Sequence, residues 1–324
     1  MYPTPEDPTY GSFVATQMAS VQRAGVDVEV DFVDGRKSQW EYARAIPRVR
    51  RRARSDSFDL IHAHYGLSGF VAAFHTLPLV VSFCGDDLLG TPDGRGGLTP
   101  KSRVGVRLSK WAARRADAII CKSEELRNAL PGPAERHRAH VLGNGVDVER
   151  FSPGDRLAAR RRLGVSAEER LVLFPHSRRQ AAVKRFDLAE SAIRALNQQM
   201  STRLWVINDV TPDSMPDYYR AADCMLLTSD HEGSPNTVKE ALCCDLPVVT
   251  VEVGDVREWL SLSTGCLLTT REPNEIARAL GEVLRGPRRA DGTRVRRRVR
   301  LSAVAEKVLD VYREALARRR NAGG

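Results

Sequence analysis

The chain has 324 residues, of which 42% are hydrophobic and 28% are charged. This composition is typical of a globular protein and excludes a disordered or fibrous one, and the length favours two domains. No apolar run reaches the roughly 20 residues that a membrane-spanning helix needs, and the first residues lack the pattern of a signal peptide. We therefore expect a cytoplasmic protein.

The formal net charge of +9 suits anionic partners such as phosphates, an acidic membrane surface or nucleic acid. No nucleic-acid-binding module or aromatic platform accompanies the charge, so we predict no nucleic-acid partner. The cysteines show neither CxxC spacing nor a neighbouring histidine cluster, and we predict no metal site. We expect six reduced and mostly structural cysteines: Cys84, Cys121, Cys224, Cys243, Cys244 and Cys266.

Short apolar runs rich in Val, Ile and Leu alternate with segments of helical periodicity, which is typical of parallel sheets covered by helices on both faces. The predicted strands are residues 26–32, 60–64, 78–83, 118–122, 140–142, 171–175, 204–207, 224–227, 247–251 and 266–268. A segment rich in Gly, Asn, Asp and Pro, residues 144–155, separates them into two groups. We predict two doubly wound, Rossmann-like domains, residues 1–150 and 151–300, and a closing amphipathic helix over 301–324.

The beginning of the chain departs from a doubly wound domain, which should open with a strand. Met1 is followed by YPTPEDPTYGSF, a proline-rich loop, and then by a predicted helix over residues 13–23. The central first strand is missing, which would leave its neighbours unpaired. We expect either that the natural protein begins upstream of Met1 or that the first domain is rearranged.

The most informative segment is residues 226–249, LLTSDHEGSPNTVKEALCCDLPVV, where a strand, a loop and a helix follow one another. Ser234 is a good N-cap residue and Pro235 a good first helical residue. The amides of Asn236 and Thr237 would then point out of the helix N-terminus, where the helix dipole also favours a diphosphate.

Two carboxylates flank this helix start, Glu232 before the helix and Glu240 inside it. Carboxylates are suited to accept hydrogen bonds from sugar and ribose hydroxyls, although two solvated side chains are the simpler interpretation. The segment EGSPNTVKEA resembles the E-x7-E signature of family 4 glycosyltransferases, which have the GT-B fold of two Rossmann-like domains facing a cleft. PEDPTYGSF, NGVDVERFSP and ADCMLLTS resemble further segments of that family, and the nearest likeness is to enzymes of teichuronic acid and exopolysaccharide biosynthesis.

The resemblance implies a retaining hexosyltransferase of polysaccharide biosynthesis in the cell envelope. Its donor would be a UDP-sugar or a GDP-sugar, and its acceptor a polysaccharide or a lipid-linked glycan. Members of the family usually need no metal and no further cofactor. An epimerase or phosphorylase of the same fold is an alternative function, and so is a protein that has lost activity.

The resemblance also implies roles for residues in the second half of the chain. Glu232 would hold hydroxyls of the donor sugar and Glu240 those of the nucleotide ribose. Arg178 and Lys184 match cations that neutralise the donor diphosphate as the glycosidic bond breaks, although their stretch, HSRRQAAVKR, also fits an exposed loop in which Arg179 replaces Arg178. The remaining donor-binding residues lie at the helix start: Ser234, Pro235, Asn236 and Thr237.

In the first half, Gly11 and Ser12 match the family's glycine loop and would face the donor phosphates, although Gly11 also fits a simple turn. SFCGDDLLG resembles a strand that ends in a His-Gly-x-Asp motif, with Cys84 where the histidine is usual. Cys84 cannot reproduce the hydrogen bonds of a histidine. We predict Cys84, Asp86 and Asp87 on the acceptor side of the site.

A basic helix-like segment, residues 101–115, places Val104, Leu108 and Trp111 on one stripe and cations on an adjoining one. Together with the arginines of residues 44–54, these cations would hold the first domain against an anionic membrane that carries the lipid-linked acceptor. The protein would then be peripheral on the inner face of the cell membrane.

Overall fold

The computed structural model of the chain describes residues 1–5, 7, 10–54, 57–91, 97–175, 181–208, 210–211, 213–286 and 289–323. The chain divides into two compact units. The first consists of Met1–Gly145 together with Ser302–Gly324, and the second of Val146–Leu301. The C-terminal helix is therefore part of the first unit.

The first unit is built on a sheet of four parallel strands in the order β1-β2-β3-β4. The strands are β1 (Ile61–His64), β2 (Leu79–Phe83), β3 (Ala118–Cys121) and β4 (Ala139–Val141). Every residue of β2 and β3 is buried, because helices cover both faces of the sheet.

The helices of this unit pack on the two faces of the sheet. They are α1 (Ser12–Arg23), α2 (Trp40–Arg52), α3 (Gly66–Ala72), α4 (Asp86–Leu89), α5 (Pro100–Arg115), α6 (Glu124–Asn128), α7 (Pro133–His137) and the C-terminal α16 (Leu301–Gly323). Val80 and Ile120 face the cluster formed with α1 and α16, whereas Val81 and Ile119 face the cluster that includes residues of α3 and α5.

The contact between α3 and α5 depends on small residues. A side chain at Gly66 would collide with Ser109, so only glycine permits this approach. Helix α5 accordingly buries Ser109, Ala112 and Ala113. The predicted apolar stripe of this helix is only partly core, since Val104 is 56% exposed.

The prediction of a strand at residues 26–32 is wrong. No strand precedes Ile61 in the described part of the chain, and although β1 has an open edge, this segment does not pair with it. Its valines alternate with acidic residues that face the arginines of α2, and Asp31 accepts a hydrogen bond from Arg48 at 2.5 Å. Alternation alone therefore suggested a strand that lacks a partner. The absence of a central first strand from the described residues agrees with the expectation from the sequence.

The second unit contains five parallel strands in the order β6-β5-β7-β8-β9. They are β5 (Leu171–Pro175), β6 (Arg203–Ile207), β7 (Cys224–Leu227), β8 (Val248–Val251) and β9 (Leu267–Thr269). The accompanying helices are α8 (Arg156–Arg162), α9 (Ala181–Lys184), α10 (Phe186–Leu196), α11 (Met215–Ala221), α12 (Asn236–Cys243), α13 (Val256–Leu260), α14 (Pro273–Arg285) and α15 (Thr293–Val299).

The strand order of this unit reverses at β5. The chain runs from β5 outward to β6 and then returns to β7 on the other side of β5. In an open parallel sheet, ligands bind at the carboxyl ends of the strands on either side of such a switch point. The residues that follow β5 and β7 are therefore the first place to search for a site.

The predicted fold class is confirmed: each unit is an α/β structure with a parallel sheet, and nine of the ten predicted strands are present. The described helices include none that is both long and apolar enough to cross a bilayer.

Candidate active site

Two predicted site residues meet at the switch point of the second unit. Lys184 ends α9, which follows β5, and Glu232 lies in the loop that follows β7. Lys184 Nζ donates a hydrogen bond to Glu232 Oε1 at 2.6 Å, and Ser229 Oγ donates to the same oxygen at 2.9 Å. The two side chains of the ion pair are only 9% and 16% exposed, so water screens the pair weakly. These hydrogen bonds hold the Lys184 ammonium and the Glu232 carboxylate in defined orientations.

The backbone around Lys184 is held by the end of β7. The buried Thr228 donates its hydroxyl proton to the carbonyls of Lys184 and Arg185, with Oγ1 2.8 and 3.0 Å from the two oxygens. Arg185 has a left-handed backbone with φ 50°, which costs a residue with a Cβ about 1–2 kcal/mol. Such strain persists only where the surroundings hold it. The amide of Asp230 adds a further bond to the carbonyl of Val183 at 2.9 Å.

The start of α12 differs from the prediction. The helix begins at Asn236 with Pro235 at the N-cap position, so the prediction of Ser234 as N-cap and Pro235 as first helical residue is wrong by one residue. Ser234 Oγ instead donates a hydrogen bond to Asp255 Oδ2 at 2.6 Å and makes no capping bond to the helix. Asn236 and Thr237 do form the first turn of the helix.

The second carboxylate of the motif, Glu240, lies on α12 and is partly buried. It accepts a hydrogen bond from the hydroxyl of the fully buried Tyr219, at 2.9 Å from Oε2. Burial raises the pKa of Glu240, while the bond from Tyr219 and the charge of Lys239 lower it. A carboxylate has lone pairs for several donors, so one bond from Tyr219 leaves capacity for the hydroxyls of a ligand.

Sequence reasoning missed several residues that shape this site. Tyr219 orients Glu240, and Ser229 orients Glu232. Arg271, which follows β9, donates to the carbonyls of Ser229 and Asp230 at 3.2 and 3.1 Å and so supports the loop that carries Glu232. Ser229 could have been found, because it lies in the LLTS segment just before the motif, but no local pattern marks Tyr219 or Arg271.

In the first unit, Asp87 is buried and acts as an acceptor for the backbone. Its carboxylate accepts bonds from the amides of Gly66, Cys84 and Gly85 at 2.9–3.0 Å. Burial raises the pKa of Asp87 to about 6, against the effect of these bonds. The carboxylate therefore joins the end of β1 to the end of β2, while Asp86 is exposed beside it.

The other predicted residues of the first unit lie near the start of α1 and the ends of the strands. Gly11 is the N-cap of α1 with φ 70°, and a Cβ there would come within 2.7 Å of the backbone of Met1. Ser12 is the first residue of the helix. Burial raises the pKa of the Cys84 thiol to about 12, so this cysteine is not an activated nucleophile. Contact of Gly11 and Ser12 with donor phosphates stays a prediction.

Two histidines, His62 and His64, lie in β1. His62 contacts Tyr312 of α16 and Ser82 of β2, each at 2.8 Å, which accounts for both of its ring nitrogens. His64 stacks on His62 with ring centroids 4.2 Å apart. His62 is therefore a structural residue. Arg178 and Arg179 lie outside the described residues.

The two parallel sheets and the charged groups at a switch point define a doubly wound α/β protein with a candidate site at the carboxyl ends of β5 and β7. Two family models match the chain: Glycosyltransferase Family 4 over residues 4–150, and Glycosyl transferases group 1 over residues 176–286. Together they cover more than half of it. The chain is a glycosyltransferase of the GT-B fold and is similar to family 4.

The chain is also similar to curated proteins that are named glycosyltransferases. A D-inositol 3-phosphate glycosyltransferase of Geodermatophilus obscurus is 27% identical over 75% of this chain and 63% of the relative. A protein of the same name from Thermobispora bispora is 27% identical over 91% of this chain and 79% of the relative. The chain thus spans less than two thirds of the first relative and more than two thirds of the second.

Solved structures share the fold. The sucrose-phosphate synthase of Thermosynechococcus elongatus has a TM-score of 0.72 at 18% identity and covers 91% of this chain and 82% of that structure. The Anabaena protein HepE in complex with UDP and glucose has a TM-score of 0.65 at 19% identity, with 91% and 88% covered. At such identities the likeness concerns the architecture of the chain.

Proposed function

We propose that this glycosyltransferase moves a hexose from a nucleoside diphosphate sugar to a polysaccharide or lipid-linked glycan of the cell envelope, with retention and without a metal. The observation that carries the proposal is the shielded contact of Lys184 and Ser229 with Glu232 at the switch point. A cation and an acceptor side by side suit a ligand that has both a diphosphate and sugar hydroxyls.

The proposed chemistry follows from charge. When the glycosidic bond breaks, the departing nucleoside diphosphate gains negative charge, and a cation already in place lowers the barrier. Lys184 is held for this role by Glu232 and by the backbone bonds of Thr228. Glu232 then binds hydroxyls of the sugar, Glu240 those of the ribose, and the first turn of α12 the phosphates.

The donor base and sugar are the least constrained part of the proposal. HepE has been solved with UDP and glucose and with UDP-glucose, which supports UDP-sugars as the first donors to test. GDP-sugars are the second set. Relatives named for inositol 3-phosphate also make a small phosphorylated acceptor a useful competitor to the proposed glycans.

Thermal stabilisation by a panel of nucleoside diphosphates and their sugars tests the donor site. One nucleotide series is expected to raise the unfolding midpoint, because a ligand at about 100 times its Kd stabilises the folded state by about 2.7 kcal/mol. Glu240→Ala should remove most of the shift, since the carboxylate fixed by Tyr219 is lost. The matched control is Glu282→Ala, which removes an exposed carboxylate of α14. No shift with any nucleotide would contradict the proposal, and a shift without sugar transfer would indicate a protein that has lost activity.

We extend the proposal to an anionic membrane surface as the place of the acceptor. Part of the predicted basic side is neutralised internally, since Arg44, Arg48 and Arg52 pair with acidic residues. In the described part of the chain, no acidic side chain pairs with three exposed arginines at the end of α2 and just after it: Arg50, Arg51 and Arg54. Trp40 at the start of α2 is 74% exposed, which suits insertion between lipid headgroups.

Flotation with liposomes tests this membrane proposal. The protein should float with vesicles that contain anionic lipid and stay behind with neutral ones. At about 1 kcal/mol for each cation near the surface, replacing Arg50, Arg51 and Arg54 by alanine should weaken partitioning about 100-fold. The charge-matched control replaces Arg161, Arg194 and Arg278, three exposed arginines of the second unit. Equal losses for both triple variants would show a general charge effect and refute this surface.

A further inference from the structure

Lys239 is buried completely, which is unusual for a lysine. It lies on α12 one residue before Glu240, in the helix that follows the loop carrying Glu232. Its Nζ donates a hydrogen bond to Ser234 Oγ at 3.1 Å and lies 5.8 Å from the centre of the Trp259 ring. The Lys239 ammonium therefore contacts protein groups and is shielded from solvent.

A second hydrogen bond continues from Ser234. Its hydroxyl donates to Asp255 Oδ2 at 2.6 Å, and Asp255 directly precedes α13. Burial raises the pKa of Asp255, while the charge of Lys239 lowers it and favours the ionised carboxylate. The three side chains form a partly buried relay, Lys239 to Ser234 to Asp255, that joins α12, the loop before it and the loop before α13.

The backbones of the two loops touch at the same place. Gly254 has φ 54°, and a Cβ there would lie 2.7 Å from the carbonyl oxygen of Gly233 and 2.8 Å from that of Glu232. Only a residue without a side chain allows this approach. The loop that carries Glu232 therefore rests directly on the loop that carries Asp255.

We propose that Lys239 is a positioning residue for the donor: through Ser234 and Asp255 it fixes the loop that carries Glu232. A buried ammonium that donates to a hydroxyl, which in turn donates to a carboxylate, resists displacement, because any movement would leave a desolvated charge without its partner. This inference rests on the proposed function. It assigns to Lys239 an effect on donor binding without contact with the donor.

The test compares three variants in binding and turnover. The probes are UDP-glucose, UDP and uridine, or the guanosine series if the nucleotide panel selects it. Lys239→Met keeps the length and apolar stem of the side chain, Ser234→Ala removes the shared hydroxyl, and the third variant combines both. We expect each single variant to weaken binding of the nucleotide sugar about tenfold, as for one lost hydrogen bond to a charged group, while uridine binds as before.

The double variant separates a relay from two independent effects. If Lys239 and Ser234 act together, the affinity of the double variant for the nucleotide sugar should equal that of whichever single variant binds it more weakly. Independent effects would instead add, and the double variant would bind more weakly than either single variant. Lys307→Met, an exposed lysine of α16, is the control and should bind like the wild type. Ser234→Ala keeps the test informative if Lys239→Met does not fold.

Wild-type affinity of Ser234→Ala for the nucleotide sugar would overturn the positioning role. So would an equal loss of uridine and nucleotide-sugar binding in folded Lys239→Met, which would indicate a general structural role. A wild-type protein that binds none of the probes would instead refute the proposed function. The two failures are therefore distinguishable.

Discussion

Lys184→Met is expected to lower kcat for sugar transfer by about 100- to 1,000-fold, the usual loss when one preorganised group that stabilises developing charge is removed. The ammonium lies 2.6 Å from Glu232 and is largely shielded from water. Because the position is shielded, a cation from the solvent is not expected to take the place of the Lys184 ammonium in the variant. Because the charge develops mainly as the bond breaks, kcat should fall more than affinity for the nucleoside.

Steady-state kinetics with the donor selected by the nucleotide panel would check this result. Arg194→Gln is the matched control, because Arg194 is an exposed cation of α10 whose weak pair with Glu190 is 3.6 Å long. The control should keep its activity within about twofold, as expected for a surface charge. A Lys184→Met enzyme that is equally active would remove Lys184 from the mechanism.

Asp223→Ala is expected to destabilise the second unit by about 3–5 kcal/mol, the usual cost of leaving a buried charge without its partner. Arg160 is only 1% exposed, and its Nη2 donates to Asp223 at 2.7 Å. The same carboxylate accepts a bond from the amide of Leu171 at the start of β5. The loss would therefore affect both the end of α8 and β5, the strand at which the strand order reverses.

Native-state hydrogen exchange of the β5 and α8 amides would localise the effect to this unit. The control is Asp217→Ala, which breaks the bidentate pair with Arg162, at 2.7 Å in each bond. Arg162 is 54% exposed, so this variant should cost about 1 kcal/mol or less. Equal effects of the two variants would show that burial does not decide the strength of these pairs.

Local patterns were sufficient for most of the architecture. Strand β7 is a continuous apolar run, and β2 and β8 are apolar except for one hydroxyl residue each, because both faces of a parallel sheet are buried. The E-x7-E segment likewise placed Glu232 before α12 and Glu240 inside it. The same reasoning failed at residues 26–32, where the period of a strand is present but the described segment joins no sheet and its acidic residues instead bond to arginines of α2.

The helix start of α12 shows a second limit. Ser234 followed by Pro235 is a strong local signal for a capped helix, yet the hydroxyl bonds to Asp255, which is 21 residues away. Local propensity describes which conformations a short segment prefers, but a carboxylate from another loop can offer the serine hydroxyl a different partner. No local pattern contains that carboxylate.

The sequence by itself determined the fold class, the identity of nine strands and the motif residues Glu232 and Glu240, because these depend on periodicity and on side chains that are neighbours along the chain. Only the tertiary structure decided which groups meet. Lys184 and Glu232 are 48 residues apart, and Tyr219 and Glu240 are 21 apart. Their contacts depend on the order of the strands, which places β5 beside β7 and which local periodicity does not encode.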